Sequence, residues 1–258
     1  MEIIILPTAN DCYSEAAKRI SGCIQAKPEA VLGLATGRTM QGVYRKLAAE
    51  FSAGTLDFSR ITTFNLDEYL GYPPDDPVTF ISYMQEFLFR HINLVPKNIH
   101  IPSSQPKNVE QECARYEEAI RDKGGIDLQL LGLGREGHIG FNEPSSSLQA
   151  RTRVKTLTKT TLKDNFGKET GPRFAITMGI GTIMEARQII LIALGEEKAQ
   201  AVAEMVEGPI TASCPASVLQ FHPFVKVILD ESAADKLIRK AYYQWVWEHK
   251  NEVEDLEL

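Results

Sequence analysis

The stretch Leu130-Leu131-Gly132-Leu133-Gly134-Arg135-Glu136-Gly137-His138-Ile139-Gly140-Phe141-Asn142-Glu143-Pro144 holds the densest chemistry in the chain. Its apolar opening reads as a buried strand, glycines end that strand, and Glu136, His138 and Glu143 follow within a few residues. Carboxylates beside an imidazole fix its tautomer and draw its pKa into the working range, which is an arrangement for moving protons. A glycine-rich backbone also lets a ligand approach without a Cβ in the way. The combination points to acid–base chemistry on a small polar substrate, with no metal needed. A lone histidine would read as a satisfied core residue; two acids in the same loop weaken that reading.

Three other segments could take part. In Leu32-Gly33-Leu34-Ala35-Thr36-Gly37-Arg38-Thr39 a buried strand runs into a turn and a helix starts at Thr39. Free N–H groups at a helix start favour an anion, the Thr36 and Thr39 hydroxyls add donors, and Arg38 adds a charge. The same residues would also make a plain N-capped turn, and the G-K-[ST] ending of a Walker loop is absent. In Phe64-Asn65-Leu66-Asp67-Glu68-Tyr69-Leu70-Gly71 two adjacent acids follow a strand. Neighbours on extended chain point to opposite sides, so one carboxylate can face a crevice while the other faces away. Either acid could instead bond its own loop backbone. Lys198 follows a strand and lies in the first turn of the next helix, where a lysine opposes the helix dipole unless an anion is present. On spacing alone it reads as a solvated surface lysine. Ser146, Ser147, Arg151, Arg153 and Lys155 form a basic run of the kind usual on an exposed strand edge.

The elements that would position these groups alternate along the chain. Strands are predicted at Ile3–Leu6, Ala30–Leu34, Ile61–Asn65, Ile126–Leu133, Arg151–Leu157, Gln188–Leu194 and Val225–Leu229. Helices are predicted at Cys12–Gln25, Thr39–Phe51, Thr79–His91, Val109–Lys123, Glu196–Val206, and from about Ala233 into Tyr243, Trp245 and Trp247. Such alternation implies mostly parallel strands with helices on both faces, in one domain spanning residues 1–258. In open α/β sheets ligands bind beyond the carboxyl ends of strands, so the loops at Thr36–Thr39, Asp67–Tyr69 and Glu136–Glu143 should converge on one crevice. The turn-rich segments Gly71–Pro77 and Thr158–Pro172 are candidate lids.

Composition narrows the field. A chain of 258 residues at 43% hydrophobic content is ample for one large core. A net charge of −6 points away from nucleic acid and anionic membranes, so an anionic substrate would need local positive charge. The four cysteines are scattered without a C-x-x-C pair, which suits free thiols in a reduced cytoplasm. Met1–Pro7 reads as a first strand rather than a signal peptide, and no apolar stretch spans a bilayer. The acidic tail Glu252–Leu258 is expected to fray.

Taken in order, Leu32–Thr39, Phe64–Gly71, Leu131–Pro144, Arg151–Thr158 and Gly195–Lys198 resemble the glucosamine-6-phosphate deaminase (isomerase) family over almost the whole chain. The resemblance implies a three-layer Rossmann-like α/β fold and conversion of an aldose 2-amino-6-phosphate to the ketose phosphate with release of ammonia. It implies that Asp67 moves a proton between C2 and C1 and that His138 assists ring opening. It implies that Glu143 and Glu136 flank the histidine, and that Thr36, Gly37, Thr39 and Lys198 hold the phosphate. No metal or cofactor is implied, and a homo-oligomer is compatible with it. Ser146, Arg153 and Lys155 match positions of an allosteric site for an acetylated amino-sugar phosphate in some members. Glucosamine 6-phosphate is the first-choice substrate and galactosamine 6-phosphate the alternative. A 6-phosphogluconolactonase-like hydrolase and a non-catalytic sugar-phosphate sensor are further alternatives, the first disfavoured by the Asp67-Glu68-Tyr69 segment ahead of the histidine cluster, the second because Asp67, His138 and Glu143 are all present.

The chain departs from the family pattern at three places. Arg38 stands where a small residue is usual, Glu136 is longer by a methylene than the usual acid or amide, and Gly167 falls near the usual phosphate-binding arginine. Arg38 is therefore expected to replace the missing charge, with Lys168 and Arg173 as rivals.

Overall fold

In a computed structural model, residues 1–250 are described; the acidic tail lies outside them. Seven parallel strands form the central sheet. They are β1 (Glu2–Leu6), β2 (Val31–Leu34), β3 (Thr62–Asn65), β5 (Ile99–His100), β6 (Leu128–Gly132), β9 (Gln188–Ala193) and β10 (Val225–Asp230), in the order β1-β10-β9-β6-β2-β3-β5. Helices flank it, as the alternating pattern predicts. β4 (Asp67–Tyr69), β7 (Arg153–Thr156) and β8 (Phe174–Thr177) make a second, antiparallel sheet in the order β4-β8-β7. That sheet was not anticipated.

The predicted strands and helices are present with small shifts at their ends. α1 is Ala9–Ala26, α2 Arg38–Ser52, α3 Phe80–Phe87 and α4 Val109–Asp122. α7 (Ala199–Val206) is preceded by a 3₁₀ turn, Glu196–Lys198, and α8 is Lys240–Glu248. The last helix thus starts later than Ala233; residues 231–239 are turns. Five strands and α-helices were missed: β4, β5, β8, α5 (Lys159–Phe166) and α6 (Ile180–Met184). The central strands are buried on both faces, as parallel strands covered by helices must be. Within α8, Tyr243 and Trp247, four residues apart, pack on the core, while Trp245 is exposed.

Two features of the second sheet bear on the site. Met178 N donates to Leu66 O at 2.6 Å, where the chain passes from β3 into β4, and Asp67 then pairs with Thr177. On β7 the alternation runs opposite to the expected sense. Arg153 and Lys155 are half-buried, whereas Val154 is 38% exposed. Arg153 turns inward because its Nη1 donates to Asn142 Oδ1 at 2.8 Å. No helix among the described residues is long and apolar enough to cross a membrane.

Candidate active site

The C-terminal ends of β9, β6, β2 and β3, four adjacent strands, open into one cavity of about 810 Å³. Asp67, His138, Thr36, Gly37, Arg38, Thr39 and Lys198 all line it. The three loops expected to converge therefore do so. Parts of both candidate lids also line it: Asp76 and Pro77 on one side, Thr161, Asp164, Asn165 and Phe166 of α5 on another.

The anion loop is built on β2. Gly37, at φ 115°, is the N-cap of α2, so the N–H groups of Gly37, Arg38 and Thr39 lack intrahelical acceptors. The loop is held from behind. Tyr83 of α3 donates its hydroxyl to Gly37 O at 2.7 Å, and buried Tyr44 donates to Ala35 O. Lys198 ends the 3₁₀ turn that follows β9. Burial pushes its ammonium pKa down, partly offset by Glu197 and Asp164.

Asp67 and Glu68 divide as alternation on extended chain requires. Asp67 lines the cavity; Glu68 turns away and accepts from the N–H groups of Tyr69 (2.7 Å), Phe80 (2.9 Å) and Ile81 (3.0 Å). Glu68 thus anchors the start of α3. Among the described residues, no hydrogen bond reaches the Asp67 carboxyl, which burial and then the charge of Glu68 push up to about 8. Burial also lifts Glu68, to about 7, against the pull of its three backbone donors.

His138 is held by a tight turn. Gly134 N donates to His138 O at 2.9 Å and Gly137 N to Gly134 O at 3.1 Å. The imidazole lies flat on the backbone of Gly134, where a Cβ would meet its ring atoms at 2.1–2.3 Å. A Cβ at Gly140 would stand 3.5 Å from Asp67 Oδ2 and 3.0 Å from Thr177 Oγ1, so bare backbone separates the Asp67 and His138 loops. His138 Nδ1 is buried and unpartnered among the described residues. Burial pushes the imidazole below its usual range, and the charge of Glu143 opposes that.

The two acids expected to flank His138 behave differently. Glu143 is buried and acts on His138 through its charge, but its carboxylate is bonded to α5. Thr158 Oγ1 donates to it at 2.9 Å, and so does the Thr161 hydroxyl. Thr158 is also the N-cap of α5. Glu136 is exposed and does not line the cavity, although its neighbours Arg135 and His138 do. Lys168 and Arg173, the rival cations, are exposed and stand outside the cavity lining. Gly167 is the left-handed C-cap of α5, at φ 69°. Arg38 lines the cavity without an ion pair among the described residues.

Sequence reasoning passed over Arg135, which lines the cavity and pairs with Asp164. It also passed over Tyr69, whose hydroxyl accepts from Asn165 Nδ2 at 3.0 Å. Ser146, Arg153 and Lys155 do not line this cavity; Ser146 Oγ is buried without a partner among the described residues.

Comparison with known proteins agrees with the geometry. Residues 7–227 match the family described as glucosamine-6-phosphate isomerases/6-phosphogluconolactonase. The glucosamine-6-phosphate deaminase of Shewanella woodyi is 48% identical over 250 residues, covering 95% of each chain. Glucosamine-6-phosphate deaminase 2 of Bacillus subtilis is 49% identical over 243 residues, 92% of this chain and 98% of that one. The solved structure of a monomeric glucosamine-6-phosphate deaminase superposes with a TM-score of 0.89 at 42% identity, covering 92% of this chain and 100% of that chain. A 6-phosphogluconolactonase from Thermotoga maritima shares the fold, at a TM-score of 0.71 and 20% identity over 89% of this chain and 99% of that chain. The chain belongs to the glucosamine-6-phosphate isomerase/6-phosphogluconolactonase family.

Proposed function

We propose that this protein is a glucosamine-6-phosphate deaminase, converting glucosamine 6-phosphate and water to fructose 6-phosphate and ammonia. The observation that carries this reading is the presence of Asp67, His138 and the start of α2 on one cavity, brought there by three separate strands. Nearly full-length relatives that bear the deaminase name support it.

The substrate phosphate sits at the N–H groups of Gly37, Arg38 and Thr39, with the hydroxyls of Thr36 and Thr39 and the Lys198 ammonium as further donors. This grip supplies binding energy for orienting the sugar. His138 relays a proton from the C1 hydroxyl to the ring oxygen as the C1–O5 bond breaks, leaving an aldehyde at C1 and the imidazole as it began. Asp67, ionised, then removes the C2 proton; that electron pair forms a C1–C2 double bond as the C1=O π bond breaks toward oxygen, which takes a proton from water. Return of a proton to C1 leaves an imine at C2. Water adds there, the C–N bond breaks, and ammonia departs. A single carboxylate serves both carbons because they are adjacent. Each general acid–base step of this kind is worth about 10²–10⁴ in rate. The charge of Glu143 offsets part of the basicity that burial takes from His138, and Glu136 takes no part.

Arg38 adds a full charge to the anion loop in place of the cation absent at Gly167. Arg38→Gly should raise KM for the sugar phosphate about tenfold, as loss of a charge-assisted contact does; an unchanged KM would remove Arg38 from the site. The reaction itself is tested by ammonia release from glucosamine 6-phosphate and galactosamine 6-phosphate, with 6-phosphogluconolactone hydrolysis as a third arm. Ammonia from the first substrate at the highest kcat/KM is the expected result. Lactone hydrolysis without ammonia would overturn it.

A further inference from the structure

The cavity carries positive charge beyond the anion loop and Lys198. Arg135 projects into it from the loop after β6, on a side chain that is 56% exposed. Facing it is Asp164, on the cavity side of α5 and 26% exposed. Their nearest atoms, Nη1 and Oδ1, are 3.6 Å apart, well beyond the roughly 2.7–2.9 Å of a formed charge-assisted hydrogen bond. The charge of Asp164 is also felt by Lys198 and by His138. One short helix thus points a single carboxylate at the cations of a pocket otherwise built to hold an anion. α5 is tied down by Thr158 and Thr161 on Glu143 at its start and by Asn165 on Tyr69. The loose Arg135–Asp164 pair joins it to the opposite wall, and among the described residues it is the one ion pair that does so.

A phosphate dianion outcompetes a lone carboxylate for a guanidinium, having more charge and three acceptor oxygens in fork geometry. A partly exposed ion pair is weak and exchanges readily. The Arg135 backbone is preset by the same 134–138 turn that presents His138, so its guanidinium needs no loop rearrangement to reach a ligand. Resting on the deaminase reading above, we propose that Arg135 grips the substrate phosphate and that Asp164 is its resident counter-ion, displaced when the phosphate arrives. Asp164 then keeps Arg135 aimed in the free enzyme and competes with bound phosphate, which favours product release.

The test uses Arg135→Gln, Arg135→Lys, Asp164→Asn and the Arg135→Gln/Asp164→Asn double variant. Each is read by calorimetric titration with inorganic phosphate and by KM and kcat for glucosamine 6-phosphate. Arg135→Gln should weaken phosphate about tenfold and raise KM by a similar factor, with a smaller fall in kcat, and Arg135→Lys should recover part of the loss. Asp164→Asn should tighten phosphate about threefold or more, and that gain should vanish in the double variant, because the two residues act as one unit. Wild-type phosphate affinity in Arg135→Gln, or weaker binding in Asp164→Asn, would overturn the proposal. These outcomes separate from failure of the deaminase reading, in which the wild type would release no ammonia whatever its phosphate affinity.

Discussion

Asp67 is a carboxyl group that the fold buries with no hydrogen-bond donor among the described residues. Its pKa rises from 3.8 to about 8, with burial the larger cause and Glu68 the smaller. Two consequences follow for pH. The base must be ionised, so kcat/KM, which reports the free enzyme, should climb with pH, reach half its maximum near 8 and level off above it. Burial also pushes the His138 imidazole below its usual range, on the acid side of Asp67. For stability the sign is the reverse. The folded protein retains a proton that the unfolded chain sheds near 3.8, so this group's contribution is fully present below that pH and is lost as the pH rises through about 8. Asp67→Asn removes a buried charge and should raise Tm at pH 9 by a few degrees, about 1–2 kcal/mol, while abolishing ammonia release. A lower Tm for the variant at pH 9 would show that the carboxylate is well solvated or paired. The type of this residue and its place after a strand were legible in the sequence. Its isolation from donors was not, since that depends on Thr177 and Gly140 arriving from distant parts of the chain.

At the scale of elements, the turn at residues 134–138 and helix α5 decide whether the acids and bases meet. Gly134 leaves room for the His138 ring. Gly134→Ala would place a methyl within 2.1 Å of it and expel the imidazole from its seat. We expect kcat to fall about 10²–10⁴-fold, the worth of one acid–base step, while phosphate binding at α2 persists. A variant with near-normal kcat would show that the ring position is not needed. The glycine pattern signalled a close approach, but only the coordinates reveal that the approaching group is the histidine itself. α5 escaped sequence reading because its surface is polar and its segment is rich in turn formers. Its boundaries were nevertheless written in the chain, with Thr158 as N-cap and Gly167 as left-handed C-cap. β8 and β4 were missed because strands of four and three residues show too little period to stand out from loop. Reading α5 as loop hid Asp164, Asn165 and Phe166 from the candidate site, and left the true partner of Glu143 unseen.

For the molecule as a whole, the strand–helix alternation disclosed the parallel sheet and the end of it where ligands bind. It could not disclose the strand order, since β6 lies between β2 and β9 only through long crossovers. That order sets Lys198, His138, the anion loop and Asp67 side by side. The second sheet completes the arrangement by carrying Asp67 away from the edge of β3 and fixing it against Thr177. The central claim is that this convergence lets one carboxylate carry hydrogen between adjacent carbons of an open-chain amino sugar. The most direct measurement follows the label in glucosamine 6-phosphate deuterated at C2 by NMR, for the wild type and for Asp67→Asn with binding verified separately. The account predicts deuterium at C1 of the ketose or in solvent with the wild type, and no loss of label from C2 with the variant. Label leaving C2 at the wild-type rate in Asp67→Asn would contradict it.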